Sequence, residues 1–264
     1  MMKKTTLFLV GTAWLIGSAL PAAAQEGSFS VGGGFDFSSG DYGTSSTTDI
    51  FSIPVFGKYE TGPWIFKLTV PYIQISGPGN VIPGVGRVNA VRGNPNAAPT
   101  TSNTESGIGD VVAAVTYNVY SRGASDPVVD LTGKIKFGTA DENKGLGTGE
   151  NDYSAQVDVY KSYGQFTALV TAGYSILGSS AAIPLDNVFY GSFGGVYKFD
   201  NRTSGGVILD LRQAASATSG SRSEATAYVA YKLSDVWKAQ AYVLKGFADG
   251  SPDYGLGATI ARSF

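Results

Sequence analysis

The amino-acid sequence predicts an all-β fold, a transmembrane antiparallel up-and-down β-barrel of about twelve strands. Three observations predict it. Segment after segment alternates apolar with polar or small residues, the period of a strand with two unlike faces. The connections between these segments are short and long by turns. The chain closes on an alternating segment that ends at the aromatic Phe264.

Residues 1–24 read as a secretory signal peptide. Lys3 and Lys4 form a positive start, Leu7 to Leu20 an apolar stretch, and Ala22-Ala23-Ala24 a small-residue cleavage site ahead of Gln25. The apolar run is too short to span a bilayer comfortably as a helix. The expected plan is therefore a signal peptide over 1–24 and one barrel over 25–264.

Strands are expected near 27–38, 47–60, 63–76, 107–121, 127–139, 151–163, 165–178, 187–199, 203–214, 222–233, 236–247 and 254–264. In Asn151 to Lys161, Tyr153, Ala155, Val157 and Val159 share one face, and Asp152, Ser154, Gln156, Asp158 and Tyr160 the other. Val129, Leu131, Ile135 and Phe137 alternate likewise with Asp130, Thr132, Lys134 and Lys136. Ala225, Ala227, Val229, Tyr231 and Leu233 do the same against Glu224, Thr226, Tyr228 and Lys232.

The short connections fall at 60–63, 121–126, 163–164, 200–202 and 234–235. The long ones fall at 39–46, 77–106, 140–150, 178–186, 215–221 and 248–252. Outer-membrane barrels carry short turns on the periplasmic side and long loops outside. Both termini are then expected in the periplasm, as an even strand number requires.

The cost of charge decides which face meets lipid. A charge on the lipid face near the bilayer midplane costs about 2–4 kcal/mol. The charged face must point inward, so Lys58, Lys67, Asp110, Asp130, Lys134, Lys136, Asp158, Asp210, Arg212, Glu224, Lys232 and Lys238 are expected to line the lumen. Asp36, Glu60, Asp152 and Lys198 join them. Aromatics near the outward strand ends fit an interfacial girdle: Tyr59, Trp64, Tyr72, Tyr117, Tyr153, Phe166, Tyr174, Phe189, Tyr197, Phe199, Tyr231, Trp237 and Phe264. A soluble sandwich or lipocalin-like barrel would explain the alternation but not the girdle or the loop asymmetry.

Composition excludes several functions. There is no cysteine and no histidine, so Ser/His/Asp and Cys/His catalysis and thiolate or imidazole metal sites are ruled out. No enzyme activity, cofactor or metal is expected. A net charge of −2 gives no reason to expect nucleic acid. Charged residues make up 15% and glycine is abundant at 36 residues, which suits a chain facing lipid on one side. Gly145 to Glu150 (GLGTGE) and Asp141-Glu142-Asn143 faintly resemble phosphate and calcium loops. They sit between strands without the helix or spacing those sites need, and read as ordinary loop.

The last strand, with Leu256, Ala258, Ile260 and Phe264, resembles the segment by which such barrels are handed to the barrel-assembly machinery, although Arg262 stands where an apolar residue is usual. Further phrases are Val70-Pro71-Tyr72, Ser106-Gly107-Ile108-Gly109-Asp110, Lys134-Ile135-Lys136-Phe137-Gly138-Thr139, Gly145 to Glu150, Gly173-Tyr174 and Gly250 to Gly255. In this order they resemble the outer-membrane family labelled as a transporter of the meta-pathway of phenol degradation. The resemblance implies an outer-membrane barrel, in contact with lipid, that passes small hydrophobic or aromatic molecules.

Twelve tilted strands enclose a cylinder roughly 25 Å across, of which side chains leave about 10 Å. The longest loop, 77–106, carries Pro78, Pro83, Pro95 and Pro99 among Val81, Ile82, Val85, Val88 and Val91; it either folds over or into the mouth or stays outside. Interior charges either pair and brace the wall or segregate across a water-filled pore. Pro54 and Pro71 cannot donate ladder bonds, and mark a possible lateral opening for hydrophobic solutes. Two functions compete: a passive channel for small molecules, and a closed structural or surface-interaction barrel.

Overall fold

The computed structural model describes residues 27–88, 103–121, 123 and 126–264. The predicted signal peptide lies outside them, as do Val91, Pro95 and Pro99. The strands are β1 (Ser28–Gly40), β2 (Thr48–Thr61), β3 (Trp64–Gly77), β4 (Val81–Ile82), β5 (Gly86–Arg87), β6 (Asn103–Ile108), β7 (Val111–Tyr120) and β8 (Val128–Phe137). They continue with β9 (Asp152–Tyr163), β10 (Phe166–Ile176), β11 (Val188–Lys198), β12 (Thr203–Arg212), β13 (Arg222–Lys232), β14 (Trp237–Gly246) and β15 (Tyr254–Ser263).

Neighbours in sequence pair antiparallel, and β1 pairs with β15 from Ser30–Ser263 to Ser39–Tyr254, which closes the sheet on itself. The sheet has 13 strands, but β6 and β7 are two parts of one crossing, so the barrel has 12 crossings. Closure leaves no sheet edge, the condition for burying a β-structure in lipid.

The strand expected at 107–121 differs from the observed one. It begins at Asn103 and breaks at Gly109–Asp110. The break is stitched by Thr139, whose hydroxyl donates to the Gly109 carbonyl at 3.0 Å and accepts from the Val111 N–H at 2.9 Å.

Alternation becomes two surfaces. Val55, Leu68, Val170 and Val243 are 52%, 50%, 55% and 60% exposed on the outer wall. A water-soluble barrel would not display such a continuous apolar band; a lipid-facing one must. The aromatics expected in the girdle all lie exposed on this surface. Trp64 and Tyr117 face each other across β3–β7 with ring centroids 4.6 Å apart, and Tyr174 meets Phe189 at 4.7 Å. The Arg262 guanidinium lies 4.7 Å from the Phe264 ring centroid and 5.9 Å from that of Trp237. A cation held over aromatic faces at the end of the barrel explains why this outward charge is tolerated.

Large inward side chains need small partners. Tyr242 lies over Gly257, Tyr228 over Gly206, Tyr190 over Gly173 and Phe56 over Gly32, each pair directly opposite in the ladder. A Cβ at Gly257 would stand 2.5 Å from the Tyr242 ring. Part of the glycine content is the space these rings require.

Candidate functional site: the barrel interior

The described part of the long loop, residues 77–88, turns inward. Val81 and Ile82 pair with Arg87 and Gly86 in a hairpin whose tip is Pro83-Gly84-Val85. Gly84 and Gly86 have φ of 78° and 101°, which only glycine adopts without strain. Ile82, Val85 and Val88 form one buried cluster with Val188 and Ala215, at the long-loop end of the barrel. Two arginines fix the backbone: Arg87 donates to the Gly43 carbonyl at 2.7 Å, and Arg212 donates to the Gly84 and Val85 carbonyls, the latter at 2.7 Å.

The hairpin divides the interior. A cavity of about 240 Å³ lies on one side, walled by Lys134, Lys136, Asp152, Leu169, Tyr190, Ile208, Asp210 and Arg212. A cavity of about 300 Å³ lies on the other, walled by Asp36, Tyr42, Ile50, Pro54, Phe56, Lys67 and Tyr242. Pro83, Gly84, Arg222 and Glu224 border both.

Along β9 to β14 part of the inner wall is apolar. Tyr160, Leu169, Val196, Ile208, Tyr228 and Tyr242 pack as a buried cluster across β9 to β14. Tyr160 and Tyr228 stand on the inward face as expected, and Leu169, Val196 and Ile208 join them there although apolar residues were expected to face outward. These residues cover that part of the inner wall with ring and methyl contacts. Leu169 beside Val170, and Val207-Ile208-Leu209, are apolar on both phases, and that doubled signal could have revealed the cluster.

Of the charged residues named from sequence, Lys134, Lys136, Asp210, Arg212 and Glu224 border the first cavity. Lys67 and Glu224 border the second. Lys58, Asp130 and Asp158 are buried in the inner wall. Asp110 sits at the β6–β7 break, and Lys232 and Lys238 face each other near a short turn. Lys232 bonds outward to Asp235 at 2.7 Å.

The ion pairs among the described residues join near neighbours. Lys136 bridges Asp110 at 2.9 Å and Asp152 at 3.0 Å, joining three strand segments. Lys58 pairs with Glu60, and Arg222 with Glu224, each two residues along one strand. Neutral donors hold other acids: Tyr242 donates to Asp36 at 2.6 Å, Asn118 to Asp130 at 2.6 Å, and Thr171 to Asp158 at 2.7 Å. Lys67 lies 4.7 Å from the Phe56 ring centroid and Lys134 5.3 Å from that of Tyr190. Arg222 was not among the residues singled out from sequence, although it stands two residues before Glu224 on the same phase of β13.

The GLGTGE loop packs against the wall. Leu146 joins Ile73, Ile75 and Ala140 in a buried cluster, and Asp141 caps a single 3-10 turn over Glu142–Lys144. These contacts give the loop a structural role.

The fold matches solved outer-membrane barrels. The COG4313 outer membrane channel from Pseudomonas putida F1 superposes with a TM-score of 0.69 at 14% identity, over 94% of this chain and 100% of that one. The KdgM porin follows at 0.51 and 11% identity, over 89% and 99%. The β domain of the Bordetella autotransporter BrkA superposes at 0.54 and 11% identity, over 90% and 100%. At such identities the likeness is one of fold. A comparison with curated proteins finds no match in sequence. The family described as the putative MetA-pathway of phenol degradation matches residues 22–264, and the chain belongs to that family.

Proposed function

We propose that this protein is a passive outer-membrane channel for small hydrophobic or aromatic molecules. The observation that carries the reading is an interior with two cavities whose walls set apolar side chains such as Leu169, Ile208, Ile50 and Phe56 beside charged and polar ones. Such walls suit compact solutes that join an apolar body to a polar group rather than large sugars. Membership of a family described by phenol degradation, and fold likeness to an outer membrane channel, support the same reading. With neither histidine nor cysteine in the chain, catalysis is not proposed.

The hairpin stands across the long-loop end, so passage requires its displacement or a way around it. The wall beside Pro54 and Pro71 offers the second route, leading from the lipid face to the cavity that Pro54 borders. The remaining parts of the proposal follow from barrel biogenesis: residues 1–24 direct export and are removed, the strand ending at Phe264 engages the assembly machinery, and both termini lie in the periplasm.

Planar-bilayer recording and proteoliposome uptake of a small aromatic test the proposal together. Discrete conductance steps, or uptake that exceeds protein-free vesicles, are expected. A stably inserted barrel that is silent in both assays would favour the closed structural reading, which the inward hairpin also suits.

A further inference from the structure

The arginine that holds the hairpin is incompletely satisfied. Arg212 donates through Nη1 and Nη2 to two neutral carbonyl oxygens, those of Gly84 and Val85. Its Nε is shut off from solvent and has no hydrogen-bond partner. Arg212 makes no ion pair among the described residues. A buried donor without an acceptor is costly.

The preferred complement of a guanidinium is a carboxylate, which takes two parallel charge-assisted bonds along one edge of the fork. Nε and Nη2 form such an edge. A carboxylate there would satisfy the unpartnered Nε and displace only the Val85 carbonyl from Nη2. The cavity of about 240 Å³ that Arg212 borders continues into Leu169, Leu177 and Ile208, a wall for a compact apolar body.

Neighbouring acids set the limit. Asp210, two residues earlier on the same face, forms no hydrogen bond or ion pair among the described residues. It lies opposite Glu224, whose carboxylate is held by Arg222 at 2.7 Å. A second negative charge on the ligand would meet these carboxylates.

We infer that this cavity is a subsite for small apolar monocarboxylates, anchored by Arg212, and that the ligand loosens the hairpin tip by replacing the Val85 carbonyl. The inference needs only the folded barrel and does not depend on passage.

The test titrates the refolded barrel by calorimetry with benzoate and with benzamide, its uncharged isostere. Benzoate is expected to bind at least tenfold more tightly than benzamide. Arg212→Gln should weaken benzoate binding tenfold or more and benzamide binding by much less, while Asp210→Asn should strengthen benzoate binding. Saturating benzoate, but not benzamide, should speed amide exchange over residues 81–88. Heat-dependent gel migration reports folding of each variant; if Arg212→Gln does not fold, the benzoate–benzamide ratio and Asp210→Asn decide. Equal binding of the two compounds, no benzoate binding, or unchanged affinity in folded Arg212→Gln would overturn the inference. A barrel silent in bilayers that binds benzoate through Arg212 would defeat the channel and keep the subsite. A conducting barrel blind to the difference would do the reverse.

Discussion

Pro54 and Pro71 lie directly opposite each other in the β2–β3 ladder. Neither ring has an N–H, yet the register runs unbroken from Asp49–Ser76 to Thr61–Trp64. The two rings must therefore form a non-hydrogen-bonded pair, with the absent donors directed at the strands beyond. Pairing lapses on both of those edges. The β1–β2 register passes from Gly33–Val55 to Asp36–Ser52 without Gly34 and Phe35. On the other side β3 leaves β6 at Tyr72–Ile108 and meets β7 at Thr69–Val112, so two residues oppose three. That is a bulge, with the Gly109 N–H bonding the Pro71 carbonyl at 2.8 Å.

Replacing both prolines with valine supplies the two missing donors. The Pro54→Val/Pro71→Val protein should exchange the amides around Phe35 and Val111 more slowly. It should also take up hydrophobic solutes more slowly into vesicles if solute uses this wall. Exchange rates indistinguishable from those of the parent would show that the lapses are not set by proline.

Much of this wall was legible in the sequence, because lipid penalises any charge on the wrong phase. That penalty wrote the alternation seen from Tyr153 to Val159 and fixed which face Lys134 and Asp158 take. Prolines 54 and 71 announced an irregularity but not their pairing, since a ladder register is set by partners distant in sequence. The inward hairpin was harder to read. Val81, Ile82, Val85 and Val88 signalled burial, but a loop apolar enough to fold inward could equally pack across the mouth. Arg212 was legible as an inward charge; its bonds to Gly84 and Val85 depend on where the hairpin tip arrives. Tyr160 and Tyr228 were legible as inward positions; their packing with Leu169, Val196 and Ile208 was not, because it joins strands distant in sequence.

Lys136 holds Asp110 and Asp152 together where the β6–β7 crossing is broken. Lys136→Met would leave two carboxylates near each other with their shared cation gone. Because all three groups are partly exposed, the expected loss is about 2 kcal/mol, below the range for a fully buried pair. Urea unfolding followed by gel migration measures it. Adding Asp152→Asn to Lys136→Met should recover part of the loss, and a second loss of equal size would contradict the bridging role.

Glycine positions should separate cleanly by what faces them. Gly257→Ala places a Cβ 2.5 Å from the Tyr242 ring and 2.7 Å from the Phe35 carbonyl. Backbone cannot move aside as a side-chain end can, so a loss of about 1–3 kcal/mol is expected. Gly133 has nothing within 4 Å of the equivalent position. Gly133→Ala should be neutral or stabilising by about 0.5–1 kcal/mol, because it restricts the unfolded chain. The same unfolding assay reads both, and equal losses would refute the account of glycine as space for inward rings.

Asp200 gives a pH dependence outside the membrane-spanning strands. Its carboxylate accepts from the Arg202 N–H at 2.6 Å, the Thr203 N–H at 2.8 Å and the Thr203 hydroxyl at 2.9 Å. These bonds, the Arg202 N–H first among them, hold its pKa below the ordinary carboxylate value. The folded state thus binds the proton less readily than the unfolded chain. The stabilisation is complete above the unfolded pKa and is lost as pH falls through the lower folded one. Asp200→Asn, which cannot ionise, should flatten this part of the profile. The difference in stability between parent and variant should be constant above about pH 5 and shrink as pH is lowered toward 3. A difference that holds constant down to pH 3 would mean that the turn draws nothing from the carboxylate's charge.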